Sequence, residues 1–245
     1  MESGGLRGWG GQSLETTVVA SRQLTSLAHG IRLKKPAGLS FRPTQFTFLS
    51  LRTDEGLDVR PMSIATSPTR PNLEYAIRIS DSSYKRAFAS LRPGDGVTVQ
   101  GPFGNFVLKE DRPAVLLAGG IGITPLKGMA EYASDNALRI PVILVYSNRS
   151  EEEIAYRAEL DELERRNPHF RVLHTLTGSD IARGWKGSAG RIGTLQLQEA
   201  ARGLDRPVYY ICGKPSMVGE MLSLLSGSGV PEADMKVEVF RGYRD

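Results

Sequence analysis

Short apolar runs broken by turn residues fill the first hundred positions of the chain. LETTVVASRQL, IRLKK, QFTFLSLR, MSIAT and LEYAIRIS are rich in β-branched and aromatic residues, and VTVQG follows a PGDG turn. Many short strands of this kind predict a sandwich or a small closed barrel. One helix interrupts them: over Tyr84–Leu91 the residues Tyr84, Ala87, Phe88 and Leu91 share a face, just after the N-capping run Asp81-Ser82-Ser83. Beyond Arg112-Pro113 the rhythm changes to strands alternating with helices. AVLLA precedes a helix to about Ser134, PVILVYS a helix over 151–166, and PVYYIC a helix over 216–225, with FRVLHTL and KVEVF as further strands. That alternation predicts βαβ units around a doubly wound parallel sheet. Ser150, followed three residues later by Glu153, predicts a capping box for the helix at 151.

The most informative stretch is VLLAGGIGITPLKGM, 115–129. An apolar strand runs into Gly119, Gly120 and Gly122, and Thr124-Pro125 then opens a helix. Such a turn lets a backbone approach an anion while the helix end presents free N–H groups to it. The same pattern also serves plain helix–sheet packing, so its neighbours must decide.

Composition narrows the partners. The chain has 245 residues, 40% of them hydrophobic, which suits two domains of ordinary globular type. A formal charge of +4 and a pI near 9.2 favour anionic partners, yet the lysines and arginines never cluster as nucleic-acid wrapping would require. One cysteine, Cys212, leaves no internal disulfide and no cysteine set for a zinc site or an iron–sulfur cluster, and three scattered histidines have no ligand spacing. No metal site is expected. An intracellular, cytoplasmic location is, because no apolar stretch reaches membrane-spanning length and the glycine-rich start lacks a signal-peptide core. The expected division is a mobile tail over 1–13, a β domain over 14–111 and an α/β domain over 112–245.

VRPMSIATS, 59–67, places an arginine, an apolar residue and a serine on one strand, which is either a phosphate donor beside a small hydroxyl or an ordinary solvated strand end. Read together with SSYKRAF, GPFGNFVL, the glycine turn, VYSNRSEEEI, the W-x-G…GRI stretch at 185–192, YYICGKPSMV and the terminal EVFRGY, it has a recognisable order. The chain resembles the ferredoxin–NADP reductase-like flavoprotein reductases, whose antiparallel FAD-binding β-barrel precedes an NAD(P)-binding α/β domain. The resemblance covers nearly everything after residue 14.

That resemblance implies FAD as cofactor and NADPH or NADH as electron donor. Arg60 is expected at the FAD diphosphate, with Pro61 and Ile79 lining the flavin site, Ser63 near flavin N5, and backbone N–H groups of Tyr84 and Lys85 at the diphosphate. Met62 stands where the family usually has a flavin-stacking tyrosine, and its thioether is expected to cover the ring. Gly119, Gly120, Gly122, Thr124 and Pro125 are expected at the dinucleotide, Thr124 on its nicotinamide side. Ser147, Asn148 and Arg149 end the next strand. Arg149 either meets the extra phosphate of NADP or pairs with the acids at 151–153, and the choice between NADPH and NADH stays open. Cys212 and Gly213 are expected beside the nicotinamide, although a lone cysteine after VYYI also reads as a buried small hydrophobe. Phe240 or Tyr243 is expected over the flavin, with core closure the other reading for Phe240. Ser63, Cys212 and Thr124 are the candidates for the reacting centre.

The implied activity is hydride transfer from NAD(P)H to FAD, followed by electron release to a separate, acidic acceptor: a ferredoxin, a flavodoxin or an oxygenase component. A monomer is expected, with neither nucleic acid nor a membrane span. Two competing classes are a flavin- or dinucleotide-binding regulatory or assembly subunit without reductase activity, and a dehydrogenase using the dinucleotide alone. The Tyr210…Lys214 spacing of short-chain dehydrogenases is discounted, because Tyr210 belongs to a strand and Gly213 and Pro215 flank Lys214.

Overall fold

The computed structural model describes residues 11–240. Its first half is an antiparallel barrel of β1 (Gln12–Thr25), β2 (Ala28–Lys34), β3 (Phe46–Thr53), β4 (Gly56–Ser63), β5 (Asn72–Arg78) and β6 (Gly96–Phe103), ordered β4-β3-β6-β1-β2-β5. Period-two alternation drives one face of each strand inward, so Ile31 and Leu33, Leu49 and Leu51, Leu73, Tyr75 and Ile77, and Val97 and Val99 make a single core. Just past β4, the Ala65 N–H donates to the Glu74 carbonyl at 2.8 Å and ties the two outer strands together. The helix α1 (Ser83–Ser90) buries Tyr84 and Phe88 against this core, and Ser82 Oγ caps it by accepting from the Lys85 N–H at 3.4 Å.

The second half holds β7 (Ala114–Gly119), α2 (Ile123–Asp135), β8 (Val142–Asn148), α3 (Arg157–Arg166), β9 (Phe170–Leu176), β10 (Ser188–Ala189), α4 (Thr194–Ala201), β11 (Val208–Gly213), α5 (Pro215–Gly227) and β12 (Met235–Val239). All six strands are parallel, in the order β10-β9-β8-β7-β11-β12. Sheets of this kind are covered on both faces, which explains why β7 reads as an unbroken apolar run. Leu116 and Ala118 meet α2 and α3 on one side, while Val115 and Leu117 meet α4 and α5 on the other.

Two local expectations fail for identifiable reasons. The helix expected over 151–166 begins only at Arg157, and Ser150 makes no capping bond. Ile154, Ala155 and Tyr156 are buried first, and Tyr156 turns left-handed at φ 62° to redirect the chain. Three apolar residues dipping into the core outweigh a local capping pattern. The helix α4 escapes the periodicity reading because Leu195 stays exposed and only Leu197 and Ala200 are buried.

The halves are joined along α2. Lys127, Glu131 and Asp135, spaced four apart, face the barrel segment that follows β4. Lys127 Nζ donates to the Ala65 carbonyl at 3.2 Å, Glu131 accepts from the Ser67 N–H at 3.0 Å, and Asp135 accepts from Thr69 Oγ1 at 2.6 Å and Arg70 at 2.9 Å. Arg166 of α3 adds a further bond to Asp135 at 3.1 Å. Removing that carboxylate leaves three donors to solvent, which reaches both guanidiniums, so Asp135→Ala is expected to lower the unfolding free energy by about 1 kcal/mol. Urea denaturation measures it, and a loss within experimental error would show that the bonds are replaced by water at no cost.

Candidate functional site

Strand order reverses between β7 and β11, and in open α/β sheets a crevice forms there at the carboxyl edge. A cavity of about 620 Å³ occupies it. The turn Gly119–Gly122 is its floor. Ser147, Asn148 and Arg149 from the end of β8, Thr177–Ser179 after β9, and Gly213 and Lys214 after β11 form its walls, with Met217 from α5, Phe240, and Arg78 from the barrel. Arg78, Arg149, Arg191 and Lys214 outnumber Glu153 and Glu220 around it, and α2 starts beneath it without a side-chain cap. Cations, a helix N-terminus and a glycine turn are the groups that an anion would need there.

The glycines have different jobs. A Cβ on Gly122 would lie 2.4 Å from the Cys212 carbonyl oxygen, so that residue is small because β11 packs on it. Gly120 is left-handed at φ 52°, and a Cβ there would meet nothing within 4 Å. Its side faces open space beside the cavity, which leaves its backbone accessible to a ligand.

Eight of the expected residues therefore line one cavity: Gly119, Gly120, Gly122, Ser147, Asn148, Arg149, Gly213 and Phe240. Three others sit behind it. Thr124 is buried and turns its hydroxyl to the Ile121 carbonyl at 3.1 Å, and Pro125 is buried in the first turn of α2. Cys212 is fully buried, and burial pushes its thiol well above the ordinary range, so it is no thiolate nucleophile. Arg149 is exposed, and the acids expected to pair with it are engaged elsewhere: Glu151 with Arg157, and Glu153 with Arg78 at 3.9 Å. Tyr243 lies outside the described residues.

The barrel residues form a second group. Arg60 is largely exposed, pairs with Asp58 at 2.9 Å and lies 5.9 Å over the Tyr84 ring. Pro61 and Ile79 are exposed beside it. Met62 is only 9% exposed and joins the barrel core at the inner end of β4, next to Ser63 at 8%. The Lys85 N–H is already taken by the Ser82 cap, so what this helix start adds is the charge of the Lys85 side chain. Burial, and the nearby charge of Arg78, hold that ammonium below its usual range.

Ser63 connects the groups. Its hydroxyl donates to the Glu238 carboxylate on β12, bridging the barrel and the parallel sheet. Burial raises the Glu238 carboxyl to about 7, against the opposing pull of the Ser63 bond, and Glu238 in turn raises the Cys212 thiol. Glu238 was not anticipated from the sequence, and its one signal is an acid set between valines in KVEVF. Arg78, Arg191 and Met217 had no signal of their own.

The two glycines and the half-buried acid make separate predictions. Gly120→Ala should cost about 1–2 kcal/mol for its left-handed backbone, and Gly122→Ala about 3 kcal/mol for overpacking against β11; equal thermal shifts would refute the division. The unfolded Glu238 carboxyl titrates near 4.5 and the folded one near 7, so the folded state keeps its proton longer and stability falls as pH rises between those values. Glu238→Gln should flatten that slope in a melting-temperature series against pH.

Comparison with known proteins agrees with this geometry. Residues 116–222 match the oxidoreductase NAD-binding domain. The chain is 30% identical over 206 residues to a component of the Na(+)-translocating NADH-quinone reductase of Haemophilus influenzae, covering 80% of this chain and 48% of that protein. The chain thus spans about half the length, or less, of the curated relatives it matches. Its fold superposes on a ferredoxin NADP+ reductase from Neisseria gonorrhoeae with bound FAD and NADP, with a TM-score of 0.79 at 22% identity over 93% of this chain and 98% of that one. It also superposes on the FAD/NAD-binding domain of nitric oxide dioxygenase from Vibrio cholerae, with a TM-score of 0.80 at 19% identity over 92% and 98%. The chain thus carries an oxidoreductase NAD-binding domain over residues 116–222 and shares the two-domain fold of the ferredoxin NADP+ reductase and the FAD/NAD-binding domain just named.

Proposed function

We propose that this chain is an NAD(P)H-dependent, FAD-containing reductase that passes electrons to a separate acceptor. The observation that carries the reading is the Ser63–Glu238 bond, which joins the barrel to β12 two residues before the cavity-lining Phe240. The barrel residues fit the flavin cofactor in charge and position. Arg60, Lys85 and the start of α1 supply positive charge for a diphosphate, and exposed Ile79 offers an apolar contact. FAD, when bound, supplies the hydride acceptor and the electron release.

The residues of this chain then do the positioning. The Gly120 turn and the start of α2 hold the dinucleotide diphosphate, and Arg149 reads a 2′-phosphate, which favours NADPH. Ser63 and Glu238 hold a proton at the meeting point of the two halves, on an acid balanced near neutrality. Cys212, buried and neutral, sets the shape of the wall behind Gly122. The positive net charge of the chain suits steering of an acidic acceptor protein.

No helix among the described residues is long and apolar enough to cross a membrane. The quinone reductase named for the relatives is a property of those proteins, and the acceptor here is proposed only as a separate, acidic electron carrier.

Purified protein should carry bound flavin, and anaerobic NADPH should bleach it rapidly. Stable yellow protein with both nucleotides would sink the reductase reading in favour of a binding protein, and flavin-free protein with dehydrogenase activity would sink the two-cofactor site. Arg149→Ala should raise the KM for NADPH about tenfold or more, as loss of a charge-assisted bond implies, with NADH little changed.

A further inference from the structure

The residues that join the two halves are more highly charged than a simple packing interface needs. Lys127 has no exposed surface, yet its ammonium lies 2.7 Å from Glu131, 3.5 Å from Glu74 of β5 and 4.9 Å from the centre of the Tyr156 ring. Glu74 is itself 1% exposed and receives Arg22 of β1 at 3.3 Å and Arg32 of β2 at 3.4 Å. Arg22 reaches on to Glu159 of α3. Three cations and three carboxylates thus form one chain from the barrel strands to α2 and α3. Apolar side chains of equal volume would bury the same space at lower desolvation cost, so such a set is poorly explained by stability alone.

What the set does have is direction. Lys127 Nζ donates to the carbonyl of Ala65, two residues after Ser63. On its own helix, Lys127 lies one turn after Thr124 and the start of the phosphate turn. Glu131, one turn further, holds the Ser67 N–H of the same barrel segment. Gly128 lets the helix lie close: a Cβ there would sit 3.2 Å from the carbonyl oxygens of both Ile64 and Thr66. The segment that presents the flavin-side serine and the helix that presents the dinucleotide turn are therefore bonded to each other. Ionic and directional bonds penalise sliding, which dispersion contacts tolerate.

We propose that Lys127, held between Glu74 and Glu131, is a positioning residue that sets the separation of the flavin and nicotinamide sites by fixing α2 to the Ser63–Ser67 segment. It touches neither cofactor. This rests on the assignment of Ser63 and the Gly120 turn to those cofactors, but its first test needs neither of them. In the triple variant Lys127→Met, Glu74→Gln, Glu131→Gln the volume is kept and the ion pairs of Lys127 are lost, while Arg22–Glu159 remains. Spin labels at Leu57→Cys in the barrel and Leu195→Cys in the α/β domain, 63% and 76% exposed, report the distance between the halves, while buried Cys212 stays unlabelled.

The expected result is a broadened distance distribution in the triple variant with a melting temperature at or above that of the parent. In flavin-loaded protein, single-turnover flavin reduction should slow roughly 10- to 100-fold, as an ångström-scale misplacement implies, while the nucleotide dissociation constant holds. An unchanged distribution, or an unchanged reduction rate, would overturn the proposal. Should the triple variant not fold, Glu74→Gln alone keeps every acceptor oxygen but one and is read by the same two measurements. Failure of the reductase reading would look different: the parent itself would not be reduced by either nucleotide, whatever the labels report.

Discussion

The structure depends on one helix being bound on two sides. At its start α2 closes the glycine turn below the cavity, and along its flank Lys127, Glu131 and Asp135 are bonded to the barrel segment after β4. A helix is stiff over a dozen residues, so neither contact can move without the other. The barrel closure at Ala65, the burial of Tyr156 and the left-handed turn before α3 all adjoin this seam. The two sheets therefore form one object whose cleft is a by-product of how α2 is held.

Much of this was legible in the sequence because the relevant forces are local. Unbroken apolar runs in AVLLA and PVYYIC mark strands covered on both faces, alternating ones mark barrel strands, and glycine turns mark where a strand meets a helix. The convergence on one cavity was legible for the same reason: Gly119, Gly120, Gly122, Ser147, Arg149 and Gly213 all lie at strand ends, and strand ends of one sheet converge by topology. Long-range pairings were not legible. Nothing near Glu238 names Ser63 as its partner, and nothing near Glu74 names Lys127, because each pair is brought together by the closing of two separate sheets. The packing of Met62 was not legible for a related reason. Its position in the chain suited a ring contact, but the barrel core claimed its side chain.

Electrostatics divides the molecule differently from sequence. Exposed cations gather around the cavity, whereas the buried cation Lys127 is already balanced by carboxylates. Between these lies the Ser63–Glu238 contact, where a carboxyl is held near neutrality by desolvation at the meeting of both halves. The thiol beside it is held neutral by the same lack of water. The meeting point of the two halves thus offers an exchangeable proton beside a neutral thiol, and the mobile charges stand apart from it around the cavity.

The contrast between Gly122 and Gly120 bears on how far a sequence pattern can be trusted. The first is demanded by a carbonyl of the protein's own backbone, so it must persist in any descendant that keeps the fold, including one that has stopped handling nucleotides altogether. The second is under no internal steric demand beyond its own φ. Loss of nucleotide handling would therefore leave Gly122 in place, while Gly120 would be held only by its left-handed backbone.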